Sequence, residues 1–97
     1  MYAVTLVKKP PLEAVSLRLS MAVAGTAHDP GRENDVLLLL GILRESGMSP
    51  CDAHTVFEKH RKTPEILRTA GMTRLADWAE EVIVDIESRQ YGLAKAA

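Results

Sequence analysis

The stretch Val36-Leu37-Leu38-Leu39-Leu40-Gly41-Ile42-Leu43 decides the fold, because a helix through these eight positions is apolar on every side. Such a helix needs neighbours on every side, so we expect it to lie in the middle of a helical bundle. Asn34 is its predicted N-cap, and Gly47 is the residue predicted to end it in the left-handed conformation. Even with its flanks, the stretch is far shorter than the roughly 20 residues that cross a bilayer. It predicts a buried helix and no membrane association.

The composition is that of an ordinary globular chain, with 97 residues, 46% hydrophobic residues and 26% charged residues. We expect residues 1–97 to form a single domain. A net charge of −1 argues against a protein that mainly neutralises phosphates. The only cysteine, Cys51, excludes an internal disulfide, and Lys8 and Lys9 follow the first apolar residues, the reverse of a secretory signal. These features predict a cytoplasmic location.

The first 24 residues allow two interpretations. Residues 1–9 are rich in Val, Thr and Tyr, which is typical of an extended arm or a short strand. In residues 12–24 apolar side chains recur with period two, yet Pro11, Glu13 and the residue types favour a helix. The predicted fold is mainly α, a small bundle of four to five helices with an N-terminal arm. The alternative is an α+β fold with an N-terminal β-hairpin over residues 2–23.

Start and stop signals predict three more helices. Ser49 and Pro50 suit the start of a helix over about residues 50–61, and a short helix follows from Thr63 until Gly71. The segments 42–49 and 66–73 share Ile, Leu, Arg, Gly and Met at matching positions, which we interpret as the same helix-ending corner formed twice. The last helix covers about residues 74–91, and residues 93–97 form a frayed tail. Its predicted apolar stripe consists of Leu75, Trp78, Ala79, Val82, Ile83 and Ile86.

Charge is segregated in the second half of the chain. Residues 59–74 are strongly basic, whereas residues 77–87 contain five acidic residues and no basic one. The two groups are either solvated faces that pair loosely with each other, or a docking surface that selects a partner. The candidate partner-binding residues are Asp77, Glu80, Glu81, Asp85, Lys59, Arg61, Lys62 and Arg68.

One side of the third helix carries groups that could perform chemistry. Cys51, His54 and Glu58 share this side, so metal binding or thiol chemistry is conceivable. Three ligands from one helix need a fourth group from elsewhere, however, and the sequence has no paired metal motif, phosphate-binding glycine loop or nucleophile motif. We therefore predict no catalytic residue, metal or cofactor. His60 lies on the apolar stripe of this helix, where we expect a core histidine bonded to a carbonyl.

A helix-turn-helix across residues 39–58 is the nucleic-acid alternative. Gly47 falls where the turn glycine belongs, but Leu43 stands where a small residue normally lets the helices approach. The second helix offers few base-reading side chains, although Arg61 and Lys62 could reach phosphate. This pattern leaves DNA binding by a transcriptional regulator as the second functional hypothesis.

The first hypothesis is a non-enzymatic protein-interaction module. A small helical chain without a catalytic constellation, but with segregated charge and an apolar arm, is typical of a bacterial or bacteriophage regulator or inhibitor that binds a partner protein. A homodimer is possible, through residues 1–9 or the face of the last helix. These expectations rest on size and elimination rather than on a positive motif.

Overall fold

The computed structural model describes residues 11–26 and 28–91, and this part of the chain is mainly helical and contains no strand. The predicted arm at residues 1–9 and the predicted tail at residues 93–97 lie outside the described residues. Five α-helices and one short 3₁₀ turn, Pro30–Arg32, make up the described fold. The α-helices are α1, Leu12–Gly25; α2, Glu33–Glu45; α3, Pro50–His60; α4, Thr63–Thr69; and α5, Thr73–Arg89.

Helix α1 settles the ambiguity of the first segment. Val15, Leu19 and Val23 are buried on one face, whereas Leu17 and Met21, which belong to the same period-two series, are exposed. Burial therefore follows the helical period, and Pro11 sits at the position just before the first turn, where its missing N–H costs nothing. The prediction of a helix is confirmed, and the alternative hairpin over residues 2–23 is wrong, because residues 12–23 are helical.

Helix α5 takes the central position in the fold. It packs against α2, α3 and α4, while α1 packs mainly against α2 and makes a smaller contact with α4. Its predicted stripe faces the core, and all of it is buried except Trp78, which is half-buried. Three- and four-residue spacing of small and branched side chains lets three helices approach this one helix.

The junctions around α3 and α4 follow the sequence signals. The Ser49 hydroxyl accepts a hydrogen bond from the Asp52 N–H at 3.1 Å, which confirms the predicted N-cap of α3. At the end of α4, Gly71 has a φ of +86°, and the N–H of Met72 bonds the Leu67 carbonyl at 3.0 Å. This pairing, together with the bond from Gly71 to Arg68, is the glycine-terminated helix end that was predicted.

Both predicted ends of α2 differ from the structure. The 3₁₀ turn feeds directly into α2 at Glu33, so Asn34 is already inside the helix and is not its N-cap. At the other end Ser46 leaves the helix in an extended conformation, with φ −74° and ψ 138°. Gly47 does not have a positive φ, so the corner after α2 is not the same as the corner at Gly71. The two similar segments thus end their helices with different backbone conformations.

The helices form a plate with principal extents of 41 × 41 × 17 Å. Its radius of gyration is 14.3 Å, against about 12 Å for a compact domain of this length. A thickness of 17 Å is roughly that of two packed helices, since interaxial distances are about 8–10 Å. A helix in a plate of this thickness is covered by other helices on some of its sides, and at least one side is left without a helical neighbour.

Candidate functional site

The central apolar stretch is not buried on all sides within the chain. Val36, Leu40 and Leu43 are fully enclosed, but Leu38 is 65% exposed, Leu37 49% and Ile42 38%. The prediction of complete burial is therefore wrong for the single chain. The physical reason is that, among the described helices, α1 and α5 are the ones that pack along α2, and they enclose only one side of it. The open side forms an apolar ridge, Leu37, Leu38, Gly41 and Ile42, which we call the α2 ridge.

A groove of about 740 Å³ runs along one side of the α2 ridge. The groove is lined by the ridge itself and by Leu12 of α1 and Trp78 of α5. Its polar groups, Arg44, Glu45 and Ser46, follow one another at the C-terminal end of α2. An apolar centre with polar groups at the edge is the arrangement found in protein–protein interfaces.

A second groove of about 380 Å³ lies on the side of the α2 ridge that faces α1. Met21 of α1, which is exposed, lies in it beside Leu38 and Ile42. Arg18, Arg32 and Asp35 supply its charged groups. Leu38 and Ile42 line both grooves, so they form a raised row with a depression on either side. This shape suits insertion between the side chains of another helix.

Trp78 connects the larger groove to the core. The Arg44 guanidinium lies over its ring, 5.2 Å from the centroid, within the range of a cation–π contact. Its indole Nε1 is buried, and the described part of the chain offers that N–H no acceptor. Since Trp78 is the only tryptophan of the chain, its fluorescence reports on this groove alone.

Arg89 fixes the end of α2 against α5. Its guanidinium donates to the carbonyl of Ser46 at 2.7 Å, to the carbonyl of Arg44, and to the Asp85 carboxylate at 2.7 Å. The last carbonyls of a helix have no partner within it, so a cation placed there satisfies them and complements the helix dipole. This contact holds Arg44 and the end of the larger groove in place.

The structure places the eight candidate charged residues in different situations. Arg68 bridges Asp77 at 2.9 Å and Glu80 at 2.7 Å, and hydrogen bonds to Glu80 and then Asp77 raise the pKa of Arg68. Asp85 is engaged by Arg89. The remaining four are exposed and form no ion pair within residues 11–26 and 28–91; they are Lys59, Arg61, Lys62 and Glu81.

The groups considered for metal or thiol chemistry do not converge. Cys51, His54 and Glu58 are all exposed, and His54 Nδ1 lies 2.8 Å from Gln90 Oε1, with which it shares a hydrogen bond. Over the described residues no cluster of three or more His, Cys, Asp or Glu side chains has the spacing to hold a metal ion. His54 is instead part of a contact between α3 and the residue that follows α5.

His60 is a core residue, as its position on the apolar stripe predicted. Its side chain is 1% exposed, and its Nε2 lies 2.7 Å from Ser16 Oγ of α1, so its partner is a hydroxyl and not the expected carbonyl. Burial, with the charge of Lys59 as a lesser cause, lowers the pKa of His60 from 6.5 to about 4. The neutral imidazole therefore links α3 to α1 inside the core.

The helices of the proposed helix-turn-helix do not pack on each other as a pair. Helix α2 rests on α1 and α5, and α3 rests on α5, with at most marginal contact between α2 and α3. A helix-turn-helix requires the first helix to support the second in the groove of DNA. No observation in the described part of the chain favours this geometry.

The residues that the sequence did not assign to a binding surface are those of the α2 ridge with Leu12 and Trp78. The available signal was the excess of apolar residues: a helix with eight consecutive apolar positions has more apolar surface than two neighbouring helices can cover. The same excess also predicts burial within the chain, so the sequence alone does not locate the open side.

Comparisons with protein-family models, with curated proteins and with solved structures gave no match to this chain. Among the helices that the structure describes, none is long and apolar enough to cross a membrane.

Proposed function

We propose that this chain is a non-enzymatic protein-interaction module that binds an amphipathic helix on the α2 ridge. The observation that carries the proposal is the exposure of Leu37, Leu38 and Ile42 on a helix whose other face is fully enclosed. Isolated exposed leucines are ordinary, but adjacent ones that separate two grooves form a contiguous apolar patch.

The size of the patch decides what kind of partner fits. With Met21, the exposed side chains of the α2 ridge present on the order of 400 Å² of apolar surface, a size that on monomers is often functional. Covering it contributes about 10 kcal/mol at about 25 cal/mol per Å². Association itself costs roughly 4–15 kcal/mol. The partner must therefore bring apolar surface of its own, which favours an amphipathic helix over a polar extended peptide.

The chemistry of the larger groove supports binding rather than catalysis. Its polar residues are one arginine, one glutamate and one serine, clustered at one end, and Arg44 is already placed over Trp78. This end carries no histidine, cysteine or aspartate that could pair with Ser46 as a nucleophile–base unit. The Ser46 hydroxyl donates to the Ile42 carbonyl at 2.8 Å, which occupies its proton.

A regulatory or inhibitory role in a bacterium or bacteriophage, in the cytoplasm, belongs to the same proposal. It rests on the small size of the chain and on its single cysteine, Cys51, which can form no internal disulfide. The charged residues of α5 take a secondary part in this proposal, because Arg68 and Arg89 already engage Asp77, Glu80 and Asp85 within the chain.

The test compares capture by matched variants, with both a cell lysate and an untagged copy of the chain as prey. Leu38→Glu puts a charge on the α2 ridge at a position open enough for folding to persist. Ile66→Glu is the control, since Ile66 is 48% exposed on α4 and lines neither groove of the ridge. We expect Leu38→Glu to lose the captured polypeptide and Ile66→Glu to retain it. Equal capture by both variants, or no capture by the wild type, would refute the proposal.

A variant with reversed charges at Glu80, Glu81 and Asp85 tests whether the partner binds the acidic face of α5 instead of the α2 ridge. Loss of capture in this variant alone would assign binding to the acidic helix. A mobility shift of duplex DNA at low salt that depends on Arg61 and Lys62 would favour the DNA-binding alternative.

A further inference from the structure

We propose that the occupant of the α2 ridge is a second copy of this chain, with the two α2 helices antiparallel about a two-fold axis between Leu39 and Leu40. This inference rests on the proposed function and names its partner. A two-fold interface brings the same surface of both copies together, so the surface must be complementary to itself. The α2 ridge meets this requirement.

The complementarity lies in the order of large and small side chains. In an antiparallel pair with this axis, each residue lies opposite the one equally far from the midpoint on the other side. Leu38, the most exposed residue of the α2 ridge, then lies opposite the second copy's Gly41, and Gly41 opposite the second copy's Leu38. Each leucine thus packs over a glycine, which has no side chain. The two-fold symmetry makes this contact occur twice. At the ends of the same face, Asn34 lies opposite Glu45, so an amide can donate to a carboxylate.

Gly41 supplies an independent reason. A glycine in the middle of a helix destabilises the helix relative to alanine. Within residues 11–26 and 28–91 nothing requires it, because a Cβ added at Gly41 would have no atom within 4 Å beyond its own helix backbone, and its φ is not positive. A glycine that the monomer does not need, at the centre of an exposed apolar ridge, is explained when another chain approaches closely there.

The area also fits a dimer. A standard interface buries roughly 800 Å² per partner, of which a little over half is apolar. The exposed apolar surface of the α2 ridge and Met21, on the order of 400 Å², supplies most of that share. The charged residues beside the two grooves form the polar rim: Arg18, Arg32, Asp35, Arg44 and Glu45.

Charge favours the antiparallel orientation over the parallel one. The first turn of α2 carries Glu33 and Asp35, and its last turn carries Arg44 and Glu45. With this axis Asp35 of each copy lies opposite the second copy's Arg44, and Glu45 lies opposite the uncharged Asn34. The antiparallel arrangement also places the negative pole of each helix dipole beside the positive pole of the other. Parallel pairing would place like ends together.

A different occupant is the chain's own residues 1–10, which lead directly into Pro11 and Leu12 at the edge of the larger groove. In that case the full chain is a monomer whose ridge is already covered. The two cases therefore differ in mass, which is the first measurement.

Light scattering on the full chain over roughly 1–100 µM, where interfaces of this size associate, is the primary test. We expect twice the mass of the 10.6 kDa chain. Leu38→Glu weakens association by at least about 30-fold and gives the monomer mass, whereas Ile66→Glu keeps the dimer. Emission of Trp78 moves to longer wavelength when the dimer is diluted. Unchanged helix content by circular dichroism confirms that each variant is folded.

The glycine variants test the geometry. Gly41→Leu adds a Cβ that meets no neighbour in the described part of the chain and a side chain at the lining of the larger groove, but it meets the second copy's Leu38. We expect it to dissociate the dimer and to retain or increase monomer stability. Leu38→Ala combined with Gly41→Leu exchanges large and small positions and restores association. In a parallel pair this exchange does not restore it, because each residue there lies opposite its own equivalent.

A monomeric wild type over the whole concentration range, or a dimer that Leu38→Glu leaves intact, would overturn the inference. If the wild type is monomeric yet captures a foreign polypeptide that Leu38→Glu loses, the inference fails and the proposed function stands. If neither a second copy nor another polypeptide is captured, both fail.

Discussion

Acidification should destabilise the fold through His60, at a pH where most carboxylates are still ionised. The imidazole is enclosed in the core beside Ser16, and its pKa is lowered from 6.5 to about 4. The unfolded chain therefore binds a proton below pH 6.5 that the folded chain does not bind until about pH 4. The stability that comes from keeping this group neutral is complete above pH 6.5 and is lost as the pH falls towards 4.

The magnitude follows from the difference between the two pKa values. A tenfold difference in proton affinity corresponds to about 1.4 kcal/mol. Between pH 7 and pH 5 the unfolding free energy should fall by about 2 kcal/mol from this site alone, and by about 3 kcal/mol once pH 4 is reached. Small domains are typically stable by about 5–15 kcal/mol, so this is a sizeable fraction.

Urea unfolding of wild type and His60→Gln at pH 7, 6 and 5 measures the effect. Glutamine retains a group that can bond Ser16 but does not titrate, so its unfolding free energy should lack the 2 kcal/mol component. His54→Gln is the control for the substitution itself, because His54 is exposed and bonds Gln90 rather than a core residue. Parallel pH profiles for wild type and His60→Gln would refute the assignment of a buried neutral imidazole.

Three further predictions concern helix ends, and each is checked by the free energy of urea unfolding. Arg89→Leu leaves the last carbonyls of α2 without a donor and should destabilise by about 1–2 kcal/mol, and Arg89→Lys should recover little because it lacks the planar fork. Ser49→Ala removes the N-cap of α3 and should cost about 1 kcal/mol. Gly71→Ala forces alanine to a φ of +86° and should cost about 1 kcal/mol or more, whereas Gly47→Ala, at a glycine without positive φ, should cost much less. Equal losses at the two glycines would contradict the different backbone routes described for the two corners.

The sequence predicted the parts of the fold that depend on local chemistry. The cap at Ser49 and the helix end at Gly71 each involve residues within a few positions of one another, so their signal is complete in a short window. The stripe of α5 and the helical period of α1 are similarly local. The cap signal at Asn34 did not decide where α2 begins, because the preceding 3₁₀ turn leads directly into the helix at Glu33.

Features that depend on distant pairing could not be predicted. Ser16 and His60 are 44 positions apart, and nothing near either residue indicates the other. Arg89 reaches the end of α2 across 43 positions, although a basic residue near the end of its own helix has an equally good local explanation. The α2 ridge was missed for a related reason: apolarity shows that a face will be covered but not which chain covers it.

The requirement that an all-apolar helix have neighbours on every side is a statement about the assembly, not about one chain. In a plate 17 Å thick, α1 and α5 can enclose Val36, Leu40 and Leu43, and no further helix of the described chain lies over the opposite face. Adding apolar residues to that face lowers the solubility of a monomer without stabilising its fold. The proposed dimer accounts both for the exposure of Leu37, Leu38 and Ile42 and for a glycine that the described part of the chain does not require. Two such plates stacked through α2 would give each α2 helix the complete set of neighbours that its composition demands.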